Sequence, residues 1–98
     1  MTALKLIYAN LLKGEAFGRI EKHRMGGTYF WDVLSADNQY IYWRNYGSSA
    51  NRLSVKNLEW ILKNIFRMTP EEFLFEYTTY TEYRRIDNAY ESLKGHAC

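Results

Sequence analysis

Hydrophobic and polar positions change period along this chain, and each change marks an element. In residues 2–13, Leu4, Ile7, Tyr8, Leu11 and Leu12 recur at three- and four-residue spacing, which places them on one face of a helix. Thr2 is the expected N-cap, and Gly14 stands just past the end, where a left-handed backbone is needed. From Phe17 the period falls to two. Phe17 to His23 is expected as a strand, and Arg19, Glu21 and Lys22 around Ile20 suit an edge of a sheet. Met25-Gly26-Gly27 supplies a turn. Thr28 to Arg44 then holds two aromatic-rich alternating runs on either side of Ser35-Ala36-Asp37-Asn38, the pattern of a β-hairpin. On that alternation Ile20, Trp31, Val33, Ile41 and Trp43 form the core face. Arg19, Glu21, Phe30, Asp32, Tyr40, Tyr42 and Arg44 form the opposite face. A one-residue slip in register would exchange the two sets.

After Tyr46 a polar loop runs from Gly47 to Arg52, and the helical period returns. Ser54 reads as a cap, followed by an apolar stripe of Val55, Leu58, Ile61, Leu62, Ile65 and Phe66 that fits a helix packed on the sheet. Thr69-Pro70-Glu71-Glu72 combines a cap, a proline at the first helical position and a glutamate at the third, so a helix carrying Phe73, Leu74 and Tyr77 inward starts here. Thr79-Tyr80-Thr81-Glu82 repeats the box ahead of a last helix with Tyr83, Ile86, Tyr90 and Leu93 on one face, ending near Gly95. The expected fold is a single α+β domain over residues 1–98. It is a three-stranded antiparallel β-meander packed with helices, in the order α-β-β-β-α-α-α.

Composition adds to this picture in three ways. At 98 residues and 47% hydrophobic, the chain supports one modest globular core. The aromatic share is 17% with nine tyrosines, and tyrosine serves half-exposed binding surfaces as well as cores. The net charge of +2 is small for a nucleic-acid binder, but it is unevenly spread. Residues 16–68 carry eight bases against four acids, whereas residues 69–83 carry four acids and no base. The single cysteine, Cys98, cannot form an internal disulfide, which fits a reducing compartment. With no signal-peptide pattern and no segment of membrane-spanning length, a cytoplasmic location is expected.

Candidate chemistry is sparse. The imidazoles are His23 and His96, and neither stands in a nucleophile–base–orienter pattern with Cys98. Two histidines and one cysteine match no zinc spacing. Glu71, Glu72 and Glu76 suit the start of a helix, where the dipole favours acids. Gly26-Gly27 lies between strands and is no phosphate loop. No catalysis, metal, cofactor or small-molecule substrate is expected.

Binding surfaces carry the functional reading. The order α-β-β-β-α resembles that of the double-stranded-RNA-binding domain, with His23 and Gly26-Gly27 before the second strand and Gly47 to Lys56 before the following helix. The resemblance implies phosphate contacts at that helix start, where this chain offers Asn51, Arg52 and Lys56 instead of a dense lysine cluster. Direct RNA or DNA binding through Arg44, Arg52 and Lys56, or by base stacking on Tyr40 and Tyr42 beside Arg19 and Arg44, is therefore the alternative expectation. Size and layout also resemble phage-encoded anti-CRISPR proteins, small inhibitors that act by binding. The favoured expectation is a non-catalytic protein that occupies a surface of a macromolecular partner, foremost a protein that itself handles nucleic acid. Its binding residues would be Tyr40, Tyr42, Arg44, Tyr46, Arg52, Lys56, Glu71, Glu72 and Glu76. A homodimer through the last helix is a further use of its apolar face.

Overall fold

The computed structural model describes residues 2–22, 24–45 and 49–85. Helix α1 (Ala3–Leu12) starts where extended Thr2 accepts the Lys5 N–H at 3.2 Å, and it ends before Gly14 at φ +94°. Ile7 and Leu11 are fully buried, with Leu4 packed beside them. Tyr8 and Leu12, expected inside, are 37% and 47% exposed. One step along a helix turns a side chain by about 100°, which carries both off a stripe centred on Ile7 and Leu11.

The sheet has five antiparallel strands and not three: β1 (Phe17–Lys22), β2 (Thr28–Ala36), β3 (Tyr40–Asn45), β4 (Asn51–Ser54) and β5 (Thr78–Thr79), in the order β4-β3-β2-β1-β5. The two extra strands lie in stretches expected as a polar loop and as a helix cap. Strands of four and two residues are too short to display a period of two, which hid them. Phe17 and Gly18 pair with Thr79 and Thr78, so β1 is not an edge; among the described residues β4 and β5 are.

The expected core face is corrected by the hairpin register. Asp37 N–H donates to Tyr40 C=O at 3.0 Å, closing a loop with two residues between them. Such a loop sets odd positions of β2 opposite even positions of β3. Leu34 faces Trp43, Ala36 faces Ile41, and Val33 faces Arg44. Leu34, Ile41 and Trp43 therefore share the inner face, and Val33 goes to the outer one. A bulge adds a second correction. Gly18 pairs with Val33 but Ile20 pairs with Phe30, so Trp31 and Asp32 lie opposite Arg19 alone. Beyond that bulge the alternation is inverted, and Ile20 and Phe30 fall on the outer face together. Trp31 and Val33 are half-buried and outside the core cluster.

The helical layer covers the inner face. The stretch expected as one helix after Ser54 has three pitches: a 3-10 turn (Val55–Asn57), α2 (Leu58–Ile61) and a π turn (Leu62–Phe66), closed by Arg67 at φ +57°. Val55, Leu58, Ile61 and Leu62 are buried. The widened turn returns Phe66 to the core beside Phe73 and Tyr77 and leaves Ile65 43% exposed. Helix α3 (Pro70–Glu76) has the full capping box, with Thr69 and Glu72 exchanging hydrogen bonds at 3.1 Å. Its Phe73 centres an aromatic cluster, stacked on Tyr77 at 4.4 Å and edge-on to Phe17 at 5.2 Å and Phe66 at 5.7 Å.

Residues 80–85 are helical, with Glu82 N–H on Thr79 Oγ1 at 3.3 Å, and they cross to the outer face. Tyr80 and Tyr83 pack on Phe30 with ring centroids 5.9 and 4.5 Å away, and the Tyr83 hydroxyl donates to Thr28 C=O at 2.9 Å. Gly18 makes room beneath, since a Cβ there would stand 2.4 Å from the Phe30 ring. Ile86, Tyr90, Leu93, Gly95, His96 and Cys98, along with His23, lie outside the described residues.

Candidate binding surface

The outer face of the sheet is divided. Its β1–β2 end is roofed by Tyr80 and Tyr83, while its β3–β4 end carries Tyr40, Tyr42, Arg44 and Arg52. What orders this second half is Asp37, in the turn. Its Oδ1 accepts the Gln39 and Tyr40 N–H groups at 2.8 and 2.7 Å, and its Oδ2 accepts the Tyr42 hydroxyl at 2.7 Å. Those three donors, the Tyr42 hydroxyl foremost, hold the Asp37 carboxyl below its ordinary value of 3.8. The same bond pushes the Tyr42 phenol above its ordinary 10.0.

Arg52 completes the cluster. Its guanidinium carbon sits 4.4 Å from the centre of the Tyr40 ring, a cation–π arrangement, and Tyr40 and Tyr42 lie 6.2 Å apart. Arg44 is exposed on the same face, opposite Val33. Lys56 is exposed in the 3-10 turn just past β4, its N–H on Ser54 Oγ at 3.4 Å. The fold thus brings together Tyr40, Tyr42, Arg44 and Arg52, with Lys56 at the margin. Tyr46 lies outside the described residues.

The acidic residues are elsewhere. Helix α3 packs through Phe73 on the inner face, so Glu71, Glu72 and Glu76 are exposed on the opposite side of the sheet from the tyrosines. Glu72 is engaged in the capping box. It also borders a concavity of about 630 Å³ with Glu59, Lys63 and Arg67, where both charges are mixed. A second groove of about 390 Å³ runs between α1 and α2, apolar along Leu4, Tyr8, Leu12 and Leu58.

Two arrangements had little signal in the sequence. Asp37 is more than a turn former, although an Asp carboxylate that accepts the N–H groups two and three residues further on is a recognised side-chain turn. The second is a part-buried polar contact on the inner face. Asp32 Oδ2 receives the Arg19 guanidinium at 3.1 Å and the Tyr77 hydroxyl at 3.0 Å. Burial, then Asp32 itself, drives the Tyr77 phenol far above its ordinary range. Arg19 and Asp32, expected on the open face with the tyrosines, lie on the inner face, two residues along from buried Phe17 and Leu34, and there they anchor Tyr77. Among the described residues there is no group of three or more metal-ligating side chains, and no helix is long and apolar enough to cross a membrane. No protein-family model, curated protein or solved structure matches the chain.

Proposed function

We propose that this chain is a non-catalytic binding protein that occupies a surface of a protein partner, in the manner of a small inhibitor. The partner class we favour is a protein that itself handles nucleic acid. The observation that carries the reading is the Tyr40–Tyr42–Arg52 cluster held by Asp37 on the half of the sheet that Tyr80 and Tyr83 leave uncovered. Tyrosine and arginine are the side chains that dominate interface hot spots, and here they are ordered before any partner arrives. Direct nucleic-acid binding fits the same cluster less well. Arg52 lies over one face of the Tyr40 ring, where a base would have to stack, and the ionised Asp37 stands among the cations that would meet phosphate.

The test is capture from nuclease-treated lysate with the wild-type chain and with a Tyr42→Ala, Arg52→Ala double variant, the bound material being identified by mass spectrometry. A protein held by the wild type and lost with the variant is the expected outcome, each truncation weakening binding by about 1–2 kcal/mol or more. Recovery of nucleic acid alone in an untreated lysate, with no protein dependent on these residues, would overturn the proposal.

A further inference from the structure

We infer that the partner adds an extended acidic segment to β4 as a further strand of the sheet. The inference rests on the protein-partner reading above and specifies what meets the cluster. Among the described residues β4 is one end of the sheet. Val55 N–H donates to Gln39 C=O at 2.9 Å, which marks those residues as a pair bonded across the β3–β4 ladder. Bonded and non-bonded pairs alternate along an antiparallel ladder. Ile41–Leu53 and Trp43–Asn51 are therefore the bonded pairs, and Tyr40–Ser54 and Tyr42–Arg52 the non-bonded ones. It follows that Arg52 and Ser54 aim their main-chain groups out of the sheet. The Ser54 C=O is taken by the Asn57 side-chain amide at 3.3 Å, which leaves the Arg52 N–H and C=O and the Ser54 N–H for an incoming strand.

The charge of that strand follows from the same register. A residue bonded to both main-chain groups of Arg52 places its own side chain on the outer face, beside the Arg52 guanidinium. That guanidinium is already held over Tyr40, so it loses little freedom on taking a carboxylate. Arg44 lies on the same face, and the acid nearby, Asp37, is spent on Tyr42 and the turn. The neighbours of the acidic residue fall on the other face, beside half-buried Leu53, and suit apolar side chains. The recognised segment thus alternates acidic and apolar residues. A phosphodiester supplies the charge but has no donor for the Arg52 C=O.

A fluorescein-labelled peptide of alternating glutamate and valine, flanked by Gly-Ser, tests this by anisotropy and by amide exchange of the whole chain. Binding is expected with new protection at the Arg52 and Ser54 amides. N-methylation at the glutamates should weaken it about tenfold or more, and N-methylation at the valines should not. Arg52→Ala should weaken it about tenfold or more. The inference is overturned by no binding, by binding indifferent to glutamate N-methylation, or by tighter binding of an oligothymidylate. If the peptide fails while lysate capture still depends on Tyr42 and Arg52, strand addition falls and the protein-partner reading stands; if capture fails too, both fall.

Discussion

Asp37 shows how much one side chain can organise. It closes the β2–β3 turn through two backbone bonds and orients Tyr42 through a third. Its folded pKa lies below the unfolded value near 3.8, so its stabilising contribution is present above that value and is lost as pH falls through the folded pKa. The wild type should therefore melt higher than Asp37→Asn at neutral pH, and the gap should close on acidification below about pH 4. Thermal melts of both proteins across that range check the sign. Gly18 acts by absence. Gly18→Ala would drive a methyl into the Phe30 ring, at 2.4 Å, and should cost about 1–3 kcal/mol in denaturant unfolding. Phe30→Leu in the same chain should recover part of the loss.

Among the elements, α3 was the most legible and β5 the least. The Thr69-Pro70-Glu71-Glu72 run specifies its own helix start through local bonds, so sequence and structure agree there. Thr69→Ala should cost about 1 kcal/mol in equilibrium unfolding, because it orphans the Glu72 N–H. The first helix and the β2–β3 hairpin were legible for the same reason: caps, glycines and alternation act within a few residues. Register was not. Val33 and Leu34 are equally apolar, and only the two-residue loop between Asp37 and Tyr40 decides which enters the core. Strand β5 depends on a partner distant in sequence, Phe17 to Gly18, and β4, although it pairs with the strand just before it, is too short to show alternation. The Tyr40, Tyr42 and Arg44 face was legible as a surface, but Arg52 was read as part of a loop and proved to be part of that face.

At the scale of the molecule, part of the uneven charge of the sequence is divided between the two sides of the sheet. Arg44 and Arg52 lie on the outer face at the β3–β4 end, and Glu71, Glu72 and Glu76 lie across the sheet from them. Opposed charges at that distance steer an approaching partner more than they hold it. Association with a captured protein partner should slow several-fold between about 50 and 300 mM salt, while dissociation changes little. Surface plasmon resonance separates the two rates. Direct phosphate binding would instead lower affinity steeply, by about 0.7–0.9 logarithmic units per tenfold salt for each phosphate neutralised.

The bulge at Trp31 and Asp32 has a consequence for how this sequence can change. One strand serves two layers: Leu34 on one side of the bulge feeds the helices below, and Phe30 on the other feeds the tyrosine roof above. The extra residue works like a phase shift in a repeating signal. Deleting Asp32 would close the bulge and leave Phe30 opposite Ile20 on the outer face, over Gly18, while stripping Tyr77 of its acceptor. A deletion at the bulge is therefore absorbed by the register, with both layers keeping their side chains, and its cost is the acceptor that Tyr77 loses.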